Sequence, residues 1–535
     1  MKNNIIKYFF VAFLIILAIV AYNIYKKQEV QSEKEKAEKK VQEATINVVK
    51  ELRLAIAEYD TINPILTNNR NVQEISRLIY DPLVLINENY KSEACLAQEV
   101  SKISDNTYII KIRENIKWQD GSVFTANDVK FTVDTIKSEG VNTVYKENLK
   151  FVSSVDVIDN NTIKFNLTQA VPFFEYNLTF PILSQKYYEG EDFNTSEKNK
   201  SPIGTGMFKI ASSDANVIIL EKNDLYWNED RKSVLEKINI NIYSNMGEVY
   251  NNFKNGNIDV INAEISNVSQ YIGSIGFAQE IYKGKEYDFL ALNNENIVLS
   301  SSAVRRAINY SIDKNNLIVS CYGPEYGVTE FPIDYGSWLY EGGASIAANA
   351  EEAKNILAED GWIYRNNSWQ KVIDGVNTKL SFYLTVNADN DLNVAVGENI
   401  KAQLEAVGIT VYLRRVSSDN YHAFINEKTG YDAIIVNMNT SFSPNLNTFI
   451  GGGNVSNYSS EDLNQILAEI GNISDDNTMK EKYKKIIEIY NRDIPFINLA
   501  RRNKVLIYNT NLVGVTKPTT YNMYNHIERW YRKNY

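Results

Sequence analysis

Histidine, cysteine and paired carboxylates do most of the bond-making chemistry in proteins, and here they are sparse or scattered. The 535 residues include 2 His and 2 Cys. His422 lies in SSDNYHAFINEK, which reads as a surface helix; the other is His526. Cys95 and Cys321 are too few for a disulfide framework or a metal cluster, and a single bridge between them depends on compartment and geometry. There is no Gly-Lys-Ser/Thr phosphate loop, no His-Glu-x-x-His and no nucleophile elbow. Asp and Glu are plentiful, but no pair stands out. SPIGTGMFKI (201–210) carries glycines without the phosphate-loop ending, so Gly204 and Gly206 are expected to supply unusual backbone angles where the chain re-enters a lobe. These residues predict no enzyme, no cofactor and no metal site.

One neutral stretch is better suited to binding. In YDAIIVNMNTSFSPNLNTF (431–449), residues 433–436 form an apolar run typical of a strand entering a core. Charge then disappears. Asn437, Asn439, Thr440, Ser441 and Ser443 are polar but neutral, with Met438 and Phe442 among them. Such groups can hydrogen-bond a guest without leaving a buried charge unpaired. An ordinary strand-end loop fits the same composition, because Asn, Ser and Pro form turns.

The elements that would position this segment alternate along the chain. NTIKFNL (161–167) places Ile163, Phe165 and Leu167 on one face of a strand, and TYIIKIR (107–113) and NVIILEK (216–222) are similar. Tyr483, Ile486, Ile487 and Tyr490 form a helical stripe, as do Ile400, Leu404 and Val407, with Gly408 placed to end that helix. Thr125 and Asp128 have the spacing of a capping box. This mixture predicts α/β or α+β lobes, and the length exceeds one core. A net charge of −10 argues against a nucleic-acid partner.

Residues 8–25 are apolar or weakly polar except Asn23, with Lys2 and Lys7 before them and Lys26 and Lys27 after. At about 1.5 Å per residue the run spans roughly 27 Å, near the hydrocarbon thickness. A cleavable signal peptide competes with this reading, but its apolar region is usually shorter and ends in a small-residue site. An uncleaved anchor is therefore expected. No cysteine follows small residues, so lipid attachment is not. The Glu/Lys-rich stretch 28–44 reads as a solvated spacer.

Several motifs then line up in order. TINPIL (61–66), IYDPLV (79–84), IRENIKWQDGSVFTANDVKFT (112–132) and SPIGTGMFKI are followed by LEKNDLYW, FKNGNIDVI, AVRRAINYSIDKNNLI, AKNILAEDGW and IKAQLEAVGITV. Together they resemble the extracytoplasmic solute-binding proteins of ABC importers, in the family 5 group of oligopeptide-, dipeptide- and nickel-binding proteins. The resemblance covers about residues 48–535. It implies a class II periplasmic-binding-protein-like α/β fold of two lobes with an extra subdomain and a hinge, here preceded by an N-terminal transmembrane helix. The expected division is a cytoplasmic tail at 1–7, the anchor at 8–25 and the spacer at 26–46. Lobe I follows as 47–90, 202–288 and 499–535, with its extra subdomain at 91–201 and lobe II at 289–498. Chain crossings are expected near 286–292 and 497–501.

By the same resemblance the ligand is a peptide or peptide-like solute and the partner an ABC permease. The protein would be a monomer, tethered to the membrane with its body outside the cell. The binding residues implied are Thr67, Asn68, Asn69 and Arg70, facing Asn437, Met438, Asn439, Ser441 and Phe442. Relatives that grip a free amino terminus usually have Asp where this chain has Ser441, and a hydroxyl cannot match that charge-assisted bond. A sensor on the same fold, a binder of a metal chelate, or an extracellular hydrolase are the other readings.

Overall fold

Strands with one buried face organise this chain, and their alternation is visible residue by residue. In Thr162–Leu167 the side chains of Ile163, Phe165 and Leu167 are buried and their neighbours are not. The computed structural model describes Lys26, residues 47–333 and residues 336–534. The anchor expected at 8–25 lies outside the described residues, as does the spacer except for Lys26. Among the described residues no helix is long and apolar enough to cross a membrane. Residues 47–49 pair antiparallel with 532–534 and belong to one unit; Lys50–Tyr531 form the other.

Within Lys50–Tyr531 there are two large cores. One draws on residues between Leu52 and Val260 together with Leu506, Leu512 and others up to Trp530. It packs a four-stranded sheet in the order Glu51–Ala57, Lys237–Tyr243, Val217–Lys222, Phe208–Ser213, with the first pair parallel. It also packs an antiparallel sheet in the order Ala97–Ser104, Thr107–Ile112, Thr162–Leu167, Val152–Asp159. The buried members of the other core all lie between Tyr287 and Ala500, with Phe173 packed against them. Its sheet runs Val260–Ala263, Phe496–Asn509, Phe277–Leu292, Ala433–Asn439, Ser381–Asn387, Thr410–Val416.

Local signals in the sequence explain the helices. Thr125 begins Ala126–Lys137 with a capping box, its N–H donating to Asp128 Oδ2 at 2.8 Å. Asp128 is buried and also accepts from Gln185 N at 2.8 Å, so this acid is spent on structure. Helix Asp391–Ala406 buries Ile400 and Leu404, and Gly408 beyond it has φ +89°, a left-handed conformation that suits glycine. Tyr483, Ile486, Ile487 and Tyr490 are the buried stripe of Asp476–Asp493. Arg305 is buried among apolar groups, which would be costly if its donors were idle. They are not: its guanidinium donates to the carbonyls of Leu299, Ser300, Asp493 and Ile494 at 2.6–3.0 Å. Cys95 is buried and Cys321 half-buried, and both are free thiols.

The glycines of SPIGTGMFKI differ from expectation. Neither Gly204 nor Gly206 has a positive φ. What requires glycine is close approach: a Cβ at Gly206 would lie 2.5 Å from the Ile79 carbonyl carbon and 2.7 Å from its oxygen. Gly206 N donates to that same oxygen at 2.8 Å, so the two backbones are clamped together. Gly206→Ala should therefore destabilise the protein by about 2 kcal/mol or more through overpacking. Urea denaturation of the variant would read this, and an unchanged midpoint would show that the backbone yields freely.

Candidate ligand-binding site

The neutral segment sits where a long strand pair passes from one core toward the other. Phe277–Leu292 and Phe496–Asn509 pair antiparallel over most of their length. Their register shifts between Lys283 and Tyr287 and again between Asp288 and Phe289. A bulge re-aims side chains that strict alternation would send elsewhere. Here it frees Lys285, whose carbonyl accepts from Thr440 N at 2.9 Å and Thr440 Oγ1 at 3.2 Å.

Strand Ala433–Asn439 pairs along one edge with Phe277–Leu292 down to the Glu286–Asn439 pair. Along its other edge it pairs with Ser381–Asn387 only at Ala433 and Ile434. The Tyr421 hydroxyl then covers the next positions, donating to Ile435 O at 2.8 Å and accepting from Asn437 N at 3.4 Å. Met438, Asn439, Thr440, Ser441 and Phe442 line a cavity of about 130 Å³ with Tyr90, Lys285 and Arg501. An adjoining cavity of about 350 Å³ is lined by Arg70, Glu74, Arg77, Tyr145 and Tyr176 and shares Lys285, Ser441, Phe442 and Thr520 with the first. The larger falls within the usual range for small-molecule sites.

Of the sequence-predicted residues, the structure brings Arg70, Met438, Asn439, Ser441 and Phe442 to these two cavities. Asn437 is turned to its neighbouring strand, its amide donating to Asp288 Oδ1. Thr67 is buried and donates to Asp60 Oδ1 at 2.6 Å. Asn69 caps helix Arg70–Ile79, its side chain accepting from Asn71 N and donating to Glu58 O. Asn68 lines a separate surface hollow with Asp60 and Asn194. Residues that sequence reasoning missed include Lys285, Arg77 and Thr520 in the cavity walls and Tyr521, whose ring meets Phe442 and the Arg77 guanidinium. Lys285 lies one residue before the crossing expected at 286–292, a weak signal; nothing local marks Tyr521.

Titratable groups of both signs stand on the strand beside the site, Asp288 buried behind it and Lys285 in its lining. Burial pushes the Asp288 carboxyl up to about 6, against the hydrogen bond from Asn437 that favours its charged form. Burial pushes Lys285 down to about 8, with Arg70 and Arg77 adding repulsion. Among the described residues no group of His, Cys, Asp and Glu could hold a metal ion.

Two cores, a shared strand pair and cavities lined by a neutral strand end make an α/β architecture suited to binding a solute. The chain belongs to the bacterial extracellular solute-binding proteins, family 5, whose model matches residues 91–459. It is 21% identical over 497 residues to the oligopeptide-binding protein AppA of Bacillus subtilis, covering 89% of this chain and 90% of that one. HbpA2 from Haemophilus parasuis has the same fold, with a TM-score of 0.76 at 21% identity, over 91% of this chain and 100% of that chain. So does a nickel ABC transporter protein from Bacillus halodurans, with a TM-score of 0.74 at 19% identity, over 89% and 99%.

Asp288 makes stability pH-dependent in a defined direction. Its folded pKa is raised, so between about pH 4 and 6 the native state holds a proton that the unfolded chain has lost, and stability falls as pH rises through that window. Asp288→Asn keeps an acceptor for Asn437 but cannot ionise. Above pH 6 it should exceed the parent in stability by up to about 3 kcal/mol, with the difference vanishing below pH 4. Urea midpoints at the two pH values test this; a difference independent of pH would refute the assignment.

Proposed function

We propose that this protein captures peptides or peptide-like solutes and presents them to the permease of an ABC importer. The observation that carries the reading is the strand end 438–442: neutral, lining a cavity, and past Ile434 no longer paired with Ser381–Asn387. An extended ligand can add to such an edge through main-chain hydrogen bonds, with pockets taking its side chains. The name of the Bacillus subtilis relative, an oligopeptide-binding protein, favours the same solute class.

In this reading residues 289–498 form lobe II, and 47–90, 91–201, 202–288 and 499–535 form lobe I with its subdomain. The second core, drawn from Tyr287 to Ala500, supports that division. Arg70 would face the 438–442 segment across the cleft, the two crossing strands would act as the hinge, and the monomer would hang from the membrane by residues 8–25. Ligand would close the lobes only by binding the closed state better than the open one.

Thermal unfolding of the purified full chain with short peptide pools tests the reading, with nickel–histidine as a parallel arm. Ligand at a hundred times its dissociation constant adds about 2.7 kcal/mol, a clear rise in melting temperature. A rise with peptides is expected. A rise with the chelate alone would replace peptide capture by chelate capture, and no rise with either would end the proposal.

A further inference from the structure

The 350 Å³ cavity has a charge imbalance that the protein does not settle by itself. Three cations reach it from two elements. Arg70 and Arg77 stand on helix Arg70–Ile79, and Lys285 stands at the bulge of Phe277–Leu292. They are held in a stack of rings and charges. Lys285 Nζ lies 4.0 Å from the centroid of Phe442, Phe442 meets Tyr521 edge to face at 5.3 Å, and the Arg77 guanidinium lies 4.0 Å from the centroid of Tyr521. Arg70 Nη2 donates to Thr520 O at 3.0 Å.

Against these three the cavity wall offers one buried carboxylate. Glu74 lies 3.8 Å from Arg70 and 3.7 Å from Arg77, and it also accepts from Met523 N at 3.1 Å. It is shared between the two arginines, and it acts on Lys285 only from beyond ion-pair distance. Glu147 also lines the cavity, but it is exposed and paired with Lys150 at 2.9 Å. Glu286 acts on Lys285 only at long range, as the weakest of the influences on it. Among the described residues no carboxylate lies within ion-pair distance of Lys285. Tyr145, Tyr176 and Tyr521 carry neutral phenols whose ionisation burial opposes.

Cations clustered with too few anions repel one another and lose hydration. Rings supply part of the compensation, since a cation over an aromatic face is attracted to it. The remainder points outward into the cavity. Ser441, which lines the same cavity, adds a neutral hydroxyl and no negative charge. An ammonium brought here would meet three cations with one shared carboxylate; a carboxylate would meet the complementary field.

We infer that the Ser441 end of the cleft is an anion subsite, in which Lys285 and Arg70 bind a carboxylate of a peptide-like ligand and Arg77 holds the supporting rings. This rests on the solute-capture reading and narrows it: the favoured solutes carry a carboxylate at this end, from a C-terminus or from an acidic group, rather than a free α-ammonium.

Calorimetric titration of the full chain separates the two. Pools of short peptides made from uncharged amino acids are prepared in four forms: unmodified, N-acetylated, N-acetylated with a C-terminal amide, and N-succinylated with a C-terminal amide. The N-acetyl amide pool carries no charge and is the reference. At least one carboxylate-bearing form should bind roughly tenfold more tightly than it, the size of one charge-assisted hydrogen bond. Tight binding of the N-acetyl acid identifies a C-terminal carboxylate; tight binding of the succinyl amide identifies an acidic group at the amino end. Lys285→Met and Arg70→Gln, each checked for an unchanged unfolding midpoint, should reduce that preference. Equal binding of charged and uncharged forms, or a preference that survives both substitutions, overturns the anion subsite while peptide capture stands. Binding by none of the four pools overturns both.

Discussion

The pairing of Phe277–Leu292 with Phe496–Asn509 is the constraint on which the arrangement depends. Each strand has one end fixed in apolar packing. Tyr287 to Leu292 and Phe496 to Ala500 belong to the core of residues 287–500. At the other end Val505 and Ile507 pack against Phe253, Ile258 and Ile265 in a separate cluster. Where they enter the core both strands are buried on both faces, so sliding either by one residue would put Asp288 and Asn498 where Phe289 and Ile497 now pack. The register shift between Lys283 and Tyr287 sits between these packed ends, and the one between Asp288 and Phe289 falls at the edge of the core. The cleft opens beside them, and the side chains that the bulges redirect belong to it.

That placement explains the division of polarity around the cleft. The strand Ala433–Asn439 buries Ala433 to Val436 completely and becomes polar only past the core boundary. Neutral amides and hydroxyls there leave little desolvation penalty when a guest displaces water. On the strand Phe277–Leu292 itself, two charged groups flank the segment. Asp288 is buried on one side with Asn437 as donor, and Lys285 emerges on the other beneath Phe442. Glu286 and Tyr287 stand between them on the strand. The segment that follows the cleft strand can remain uncharged because its neighbours carry the electrostatics.

Much of the architecture was legible because it is written in local periodicity. The alternation of Thr162–Leu167, the stripe of Asp476–Asp493, the Thr125–Asp128 cap and the glycine after Asp391–Ala406 each depend on residues within a turn or two. The site was legible only where it too is local, as in 438–442. Thr67 and Asn69 have the composition of ligand contacts, but hydroxyls and amides serve equally as turn and cap groups, and here they bond to Asp60 and to the helix they precede. Gly204 and Gly206 answer to the Ile79 carbonyl, more than 120 residues away, which no spacing rule reveals. Lys285, Arg77 and Tyr521 come together only because a bulge, a helix face and a loop near the C-terminal end converge on one place. Nothing in any of the three stretches announces the others.

The walls of the cleft already touch, and the nature of those contacts bears on what a ligand must do. Lys102 donates to Gly471 O at 3.0 Å and to Asn472 Oδ1 at 2.6 Å, Trp338 N donates to Asn89 O at 2.9 Å, and Lys91 pairs with Asp476. Phe173 meets Tyr483 at 6.4 Å, and Phe442 meets Tyr521 at 5.3 Å. Exposed ion pairs of this kind contribute about 0–1 kcal/mol, and an aromatic pair adds roughly 0.5–1.5 kcal/mol beyond its buried area. A ligand that bridges Phe442 on one wall and Thr520 on the other adds interactions available only when the walls are close. Moving a two-state equilibrium from one side to the other takes about 5.5 kcal/mol of differential affinity, which two or three charge-assisted hydrogen bonds and a few main-chain bonds can supply. Under the proposed capture function, contacts of this size between the walls would leave closure to the ligand.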